Sequence, residues 1–196
     1  PSKQERIVIA KNAENTATQL YEHFKNGLSA LENKQYDVAI ELFTKANSQV
    51  PFRENWNNIG VAYARKALAL KVSSKAEIEN PARFLYPLEV ENKSRLLNER
   101  TRSLDDTTEE MVKLLNESQS AFEKALQLDP SFYKSRINLA CVYDLQGKHN
   151  SAIAEITEKL PEEARASKEA RRLLAIACYN ADMEEKAEKI WMELKM

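Results

Sequence analysis

The sequence predicts an all-α protein built as an array of antiparallel helical hairpins, and three observations carry the prediction. Glycine is scarce, 3 of 196 residues, while alanine, leucine, glutamate and lysine dominate, the composition of a chain that is helical throughout. A tiny residue and a large apolar one recur 16 positions apart: Gly27 and Phe43, Ala140 and Ile156, Ala175 and Trp191. Gly60 lies inside "WNNIGVAY" (56–63), in mid-helix, where glycine costs roughly 1 kcal/mol relative to alanine. Paired helices approach closely only where one offers a minimal side chain and the other a bulky one to fill the space. Gly60 is therefore expected to be a packing contact, with Phe122 as its filler.

Taken in order, the elements repeat. Trp56, Ile59, Gly60 and Tyr63 form W-x2-I-G-x2-Y, and Ala39, Phe43, Ala46 and Pro51 form A-x3-F-x2-A followed by proline. Together they resemble the two halves of a tetratricopeptide repeat (TPR), a 34-residue helix–turn–helix unit. The resemblance implies a right-handed superhelix of about four such hairpins. Residues 1–19 are an N-terminal extension and the start of the first helix; "RIVIA" (6–10) is expected ahead of that helix, as the remnant of a preceding domain. Residues 20–52 are the first repeat, with Gly27 on helix A and Ala39, Phe43 and Ala46 on helix B. Residues 53–132 are the second. Residues 133–167 are the third, with Leu139, Ala140 and Tyr143 on helix A, Gly147 in the turn, and Ala152 and Ile156 on helix B. Residues 168–196 are the fourth, with Leu174, Ala175, Ala187 and Trp191.

The second repeat is interrupted. From Gly60 to Phe122 is 62 positions rather than 16, yet "AFEKALQLDP" (121–130) is a strong helix B ending. The first helix is expected to run on to about Val72, and a capping box of Thr107 with Glu110 to start the second one early. Between them, at about 73–105, Pro81 and Pro87 break any helix. Phe84, Leu85, Tyr86 and Leu88 make the segment too apolar for a solvated linker. "RFLYPLEVE" is expected to dock on the array in extended form, followed by a short helix near Lys93 to Arg102. Whether it only packs on its hairpin or acts as a lid, plug or partner-binding arm stays open.

The chemistry of an enzyme is missing from the pattern. His23 and His149 fall on a first-repeat helix and in the third repeat's turn, with no sign of convergence, so no catalytic and no metal site is expected. Acidic pairs such as Asp105/Asp106, Glu109/Glu110 and Glu162/Glu163 sit at helix beginnings, where they complement the macrodipole. The glycines all fall at repeat positions, leaving none for a phosphate-cradling loop and no cofactor site. Cys141 and Cys178 lie in apolar helical patterns and read as reduced, buried thiols. The 29 basic and 30 acidic residues nearly cancel, for a net charge of -1, which argues against nucleic acid as a partner. No apolar run approaches the roughly 20 residues of a membrane span. The start at Pro1 fits a piece of a longer protein, expected to be soluble, in the cytoplasm ahead of a bacterial periplasm.

What the resemblance implies for function is a non-catalytic interaction module. Its concave wall, made by the A helices, would hold a peptide or protein segment. On the family pattern the inward positions include Phe24, Lys25 and Leu28, then Asn57, Asn58, Val61 and Arg65, then Lys134, Asn138 and Cys141, and finally Arg172 and Tyr179. Asn58 and Asn138 fall at equivalent places, where a side-chain amide pairs with an extended backbone. The carboxylate clamp of chaperone-binding relatives is incomplete, because Phe24, Leu28 and Asn138 stand where it needs lysine, asparagine and arginine. Phe24 and Leu28 make that end of the groove apolar. Two other roles fit the same residues: a docking or regulatory domain of a larger enzyme, and self-assembly. Ile190, Trp191, Leu194 and Met196 end the chain without a polar cap, so an adjoining domain, a second copy of the chain in a homodimer, or self-packing is expected to cover the last helix.

Overall fold

The computed structural model describes residues 2–72 and 108–195, and among them every regular element is an α-helix. In chain order these are α1 (Lys3–Glu32), α2 (Tyr36–Gln49), α3 (Arg53–Val72), α4 (Glu109–Leu128), α5 (Tyr133–Leu145), α6 (His149–Thr157), the single turn α7 (Glu162–Arg165), α8 (Lys168–Asn180) and α9 (Glu184–Lys195). Helices α1 and α2, α3 and α4, α5 and α6, and α8 and α9 pack pairwise. The hairpins stack through α2 on α3, α4 on α5, and α6 on α8. The expected docking of Phe84, Leu85, Tyr86 and Leu88, and the helix near 93–102, lie outside the described residues.

The small–large pairs hold the hairpins together as the spacing predicts. A Cβ built on Gly27 would stand 2.7 Å from Phe43 Cε1, and one on Gly60 would stand 2.6 Å from Phe122 Cε1. Both rings are fully buried. The backbones approach more closely than an alanine would allow, and α4 locks the approach with a hydrogen bond: Ser118 Oγ donates to the Gly60 carbonyl at 2.7 Å. Gly60 thus faces Phe122 across an interruption of the repeat, and α3 and α4 make the most extensive helix pair.

Three hairpin turns share one geometry. Lys34, Gly147 and Asp182 take left-handed φ of 60°, 75° and 60°. The next amide in each case reaches five residues back, from Gln35 to Ala30, Lys148 to Tyr143 and Met183 to Cys178. This closes the last turn of the first helix in the manner of a Schellman cap. Glycine meets that conformation without steric cost only at 147; Lys34 and Asp182 carry a Cβ there.

Two expectations change, and one left open is narrowed. "RIVIA" does not precede the first helix but lies within it. The chain enters α1 at Lys3 through a capping box in which Glu5 N donates to Ser2 Oγ and Ser2 N to Glu5 Oε2. Side-chain capping and continuous backbone bonding there outweigh the small helix penalty of β-branched residues. α2 reaches back only as far as Gln19, which accepts from Gln49 Nε2, so the first half of α1 stands clear and Ile7, Val8 and Ile9 are exposed. At the other end of the insertion, the cap of α4 is Thr108, accepting from Met111 N, rather than Thr107. The third helical position is then Met111, so no glutamate closes a box. Of the covers left open for the last helix, self-packing serves Trp191, which is buried against Ala175, Ile176, Cys178 and Tyr179 of its own hairpin. Met192 is the exposed large hydrophobic residue of α9, at 68%.

The first three hairpins share one apolar core, and the last has a smaller one joined to it through Ile153 and Leu174. Cys141 and Cys178 are buried, reduced thiols, and burial pushes the Cys178 thiol up from its ordinary value. Some polar groups enter this core in partnership, whereas Asn55 is fully buried with neither side-chain polar atom hydrogen-bonded among the described residues. Glu155, on α6, is buried and takes Arg136 Nη1 at 3.0 Å and Lys159 Nζ at 2.5 Å.

Candidate functional site

The first helix of each hairpin lies beside the first helix of the next: α1 by α3, α3 by α5, α5 by α8. Counting from the small residue of each helix defines the rungs between them. Asn57, three before Gly60, accepts at Oδ1 from Asn138 Nδ2 at 2.9 Å, two before Ala140, and from Ser135 Oγ at 2.8 Å. Asp144, four after Ala140, accepts at Oδ2 from Asn180 Nδ2 at 2.8 Å, five after Ala175. Its other oxygen lies 2.8 Å from His149 Nδ1. The helices are therefore aligned by two polar clasps, each between residues at matched heights.

The candidate binding residues divide by exposure. Lys25, Leu28 and Lys134 are exposed, and Phe24, Asn57, Asn58, Arg65 and Arg172 are half-buried. Val61, Asn138, Cys141 and Tyr179 are buried. Asn58 and Asn138 thus differ in circumstance. Asn138 is turned into the wall with its amide nitrogen donated to Asn57, while Asn58 is half-buried. Phe24 packs edge-on to Phe43 at 6.0 Å and against Phe52 at 5.7 Å, placing it at the seam between the first two hairpins.

The charges on this face are balanced. Lys25, Arg65, Lys134 and Arg172 share it with Glu32, Glu54, Asp144 and Glu169, and Glu54 is taken by Arg53 at 2.8 Å. The Nε of Arg65 is buried with no hydrogen-bond partner among the described residues, as are side-chain atoms of Asn47, Asn55 and Asn180. Burial pulls the Arg65 guanidinium below the ordinary value against the opposing charges of Tyr36 and Glu32.

Sequence reasoning missed the clasps as bonds. Ser135 carries no signal, and the convergence of His149 on Asp144 depends on the left-handed Gly147, which folds residue 149 back over the end of α5. Among the described residues no three His, Cys, Asp or Glu side chains gather as a metal would require, and no helix is long and apolar enough to cross a membrane.

No curated protein matches the chain. Residues 121–154 match the family model described as tetratricopeptide repeat; they run from the second half of α4 through α5 into α6. That family is generally a non-catalytic fold for protein–protein interaction. The match supports a tetratricopeptide repeat at 121–154, the all-α array of hairpins around it is consistent with a superhelix of that type, and in general terms both support a protein-interaction module.

Proposed function

We propose that the face shared by α1, α3, α5 and α8 holds an extended peptide or protein segment. The repeat boundaries assigned to it are 20–52, 53–132, 133–167 and 168–196, with residues 1–19 as an extension. The observation that carries the reading is the pair of clasps, Asn57 to Asn138 and Asp144 to Asn180. They hold successive first helices at a fixed stagger, so that Phe24, Leu28, Asn58, Lys134 and Arg172 line one continuous surface. Asn58 supplies an amide able to donate to and accept from a peptide backbone. Phe24 and Leu28 give an apolar seat for a side chain. Asn138, Val61, Cys141 and Tyr179 support the wall from behind.

A displayed pool of random 12-residue peptides, selected on the intact chain, tests this. Recovered peptides should lose most of their affinity to Leu28→Asp and several-fold to Asn58→Ala, and keep it with Lys45→Ala on the outer helix α2. Peptides indifferent to both wall substitutions would place binding elsewhere.

A further inference from the structure

The three seams between first helices are not equivalent. Each has an upper rung and a lower rung, at the heights defined by the two clasps. Between α3 and α5 the rungs are Asn57 with Asn138 and Ala64 with Leu145; between α5 and α8 they are Ile137 with Leu173 and Asp144 with Asn180. Polar meets polar and apolar meets apolar. Between α1 and α3 the same positions hold Phe24 with Asn58 and Leu31 with Arg65. Both rungs are mismatched, and the polar member lies on α3 each time.

A buried polar group without a partner is costly, more so when charged. Where Asn180 finds the carboxylate of Asp144, Arg65 has the apolar Leu31 at the matching position, and its Nε is buried and unbonded among the described residues. Glu32, one residue on, is exposed and felt only as a charge. The seam is also the apolar end of the wall, with Leu28 exposed one turn from Leu31. The ligand chemistry that completes such a seam is a carboxylate next to an apolar side chain.

We propose that the α1–α3 seam is a specificity subsite for an acidic side chain of the bound segment, with Arg65 as counter-ion and the neighbouring apolar residue resting on Phe24 and Leu28. This rests on the groove reading above. The wall then selects side-chain charge, since Asn138, of the equivalent pair Asn58 and Asn138, is spent on Asn57.

The same peptide pool distinguishes the two levels. Recovered peptides should be enriched in Asp or Glu beside a large apolar residue, and bind more weakly as salt rises. Replacing the peptide's acid by its amide should weaken binding to the wild-type chain about tenfold or more, the scale of a charged hydrogen bond, and have little further effect on Arg65→Gln. Arg65→Lys should retain part of the affinity, and Glu32→Gln, which removes a competing charge at an exposed position, should tighten it. Circular dichroism melts confirm that each variant is folded. Neutral peptides that depend on Leu28, or acidic ones indifferent to Arg65→Gln and Glu32→Gln, would overturn the subsite while leaving the groove standing. A pool from which nothing sensitive to Leu28→Asp emerges would overturn both.

Discussion

Gly60→Ala is the substitution that most directly tests the packing argument, because two effects of known sign oppose each other. Alanine is the better helix former by about 1 kcal/mol, so on propensity alone α3 gains. The added methyl would meet three atoms of one ring edge, Phe122 Cε1 at 2.6 Å and Cδ1 and Cζ at 2.8 Å. An ordinary contact begins near 3.4 Å. The ring is fully buried and the Ser118 bond to the Gly60 carbonyl ties α4 to the same place, so relief requires moving helix against helix. Overpacking of this kind costs about 1–3 kcal/mol, and a displacement of several tenths of an ångström by a rigid ring lies at the upper end. The expected net result is a loss of about 2 kcal/mol, read from urea denaturation followed at 222 nm with an unchanged slope. Phe122→Leu in the same chain should recover part of it, giving a favourable coupling of about 1 kcal/mol in a double-mutant cycle. Gly147→Ala is the control: its φ is 75° and nothing lies within 4 Å, so it should cost about 1 kcal/mol from backbone strain with no rescuing partner. A Gly60→Ala chain as stable as wild type, or more so, would refute the reasoning.

Lys34→Gly should act in the opposite direction, raising stability by about 0.5–1 kcal/mol in the same assay, since it removes a Cβ from a left-handed turn. Asn57→Ala should cost about 2 kcal/mol by leaving the Ser135 hydroxyl and the Asn138 amide without their acceptor, while replacing Asn57 and Asn138 together by leucine should cost less than Asn57→Ala alone. Tyr143 is held up at about 12, first by burial and then by Glu123 and Glu155. Because the folded value lies above the unfolded 10.0, its contribution is intact below pH 10 and lost as pH climbs from there towards 12. Tyr143→Phe should therefore flatten the fall in stability over that window, and ultraviolet difference spectra should show this phenol still protonated at pH 11.

The fold was legible wherever it depended on volume, and less so where it depended on hydrogen-bond direction. Gly27 with Phe43 and Gly60 with Phe122 could be paired from spacing, because a residue without a side chain in mid-helix has few reasons to be there. The extent of α3 to Val72 followed from its apolar run, and Phe122 could be assigned despite the insertion because Ala125 and Pro130 repeat the pattern of Ala46 and Pro51. The start of α1 was misjudged because β-branching in "RIVIA" outweighed the quieter signal of Ser2 with Glu5. The cap of α4 was misjudged by one residue because Thr107 and Thr108 are both competent, and only the backbone decides between them. At the candidate site, the list of wall positions was readable from the repeat, but their division into buried and available members was not. Asn138 reads as a ligand group in one dimension; its commitment to Asn57 depends on how α5 is staggered against α3.

That commitment has a consequence for how the wall recognises anything. Buried polar pairs contribute little net stability compared with apolar substitutes, but they penalise every stagger in which they are unmatched. The clasps at Asn57–Asn138 and Asp144–Asn180 sit at different heights on successive seams, each opposite an apolar rung, so neither seam can slide by a turn without stranding an amide or a carboxylate. The first seam has no such polar match: Phe24 and Leu31 tolerate neighbouring registers, and Arg65 finds no acceptor on them. Its stagger is set instead by aromatic packing of Phe24 on Phe43 and Phe52. Two seams are thus tied by polar pairs within the chain, and the first is left with a cation beside an apolar seat. Order in the last three hairpins then draws on polar pairs within the chain, whereas on the proposed groove reading polar matching at the first seam falls to the bound segment.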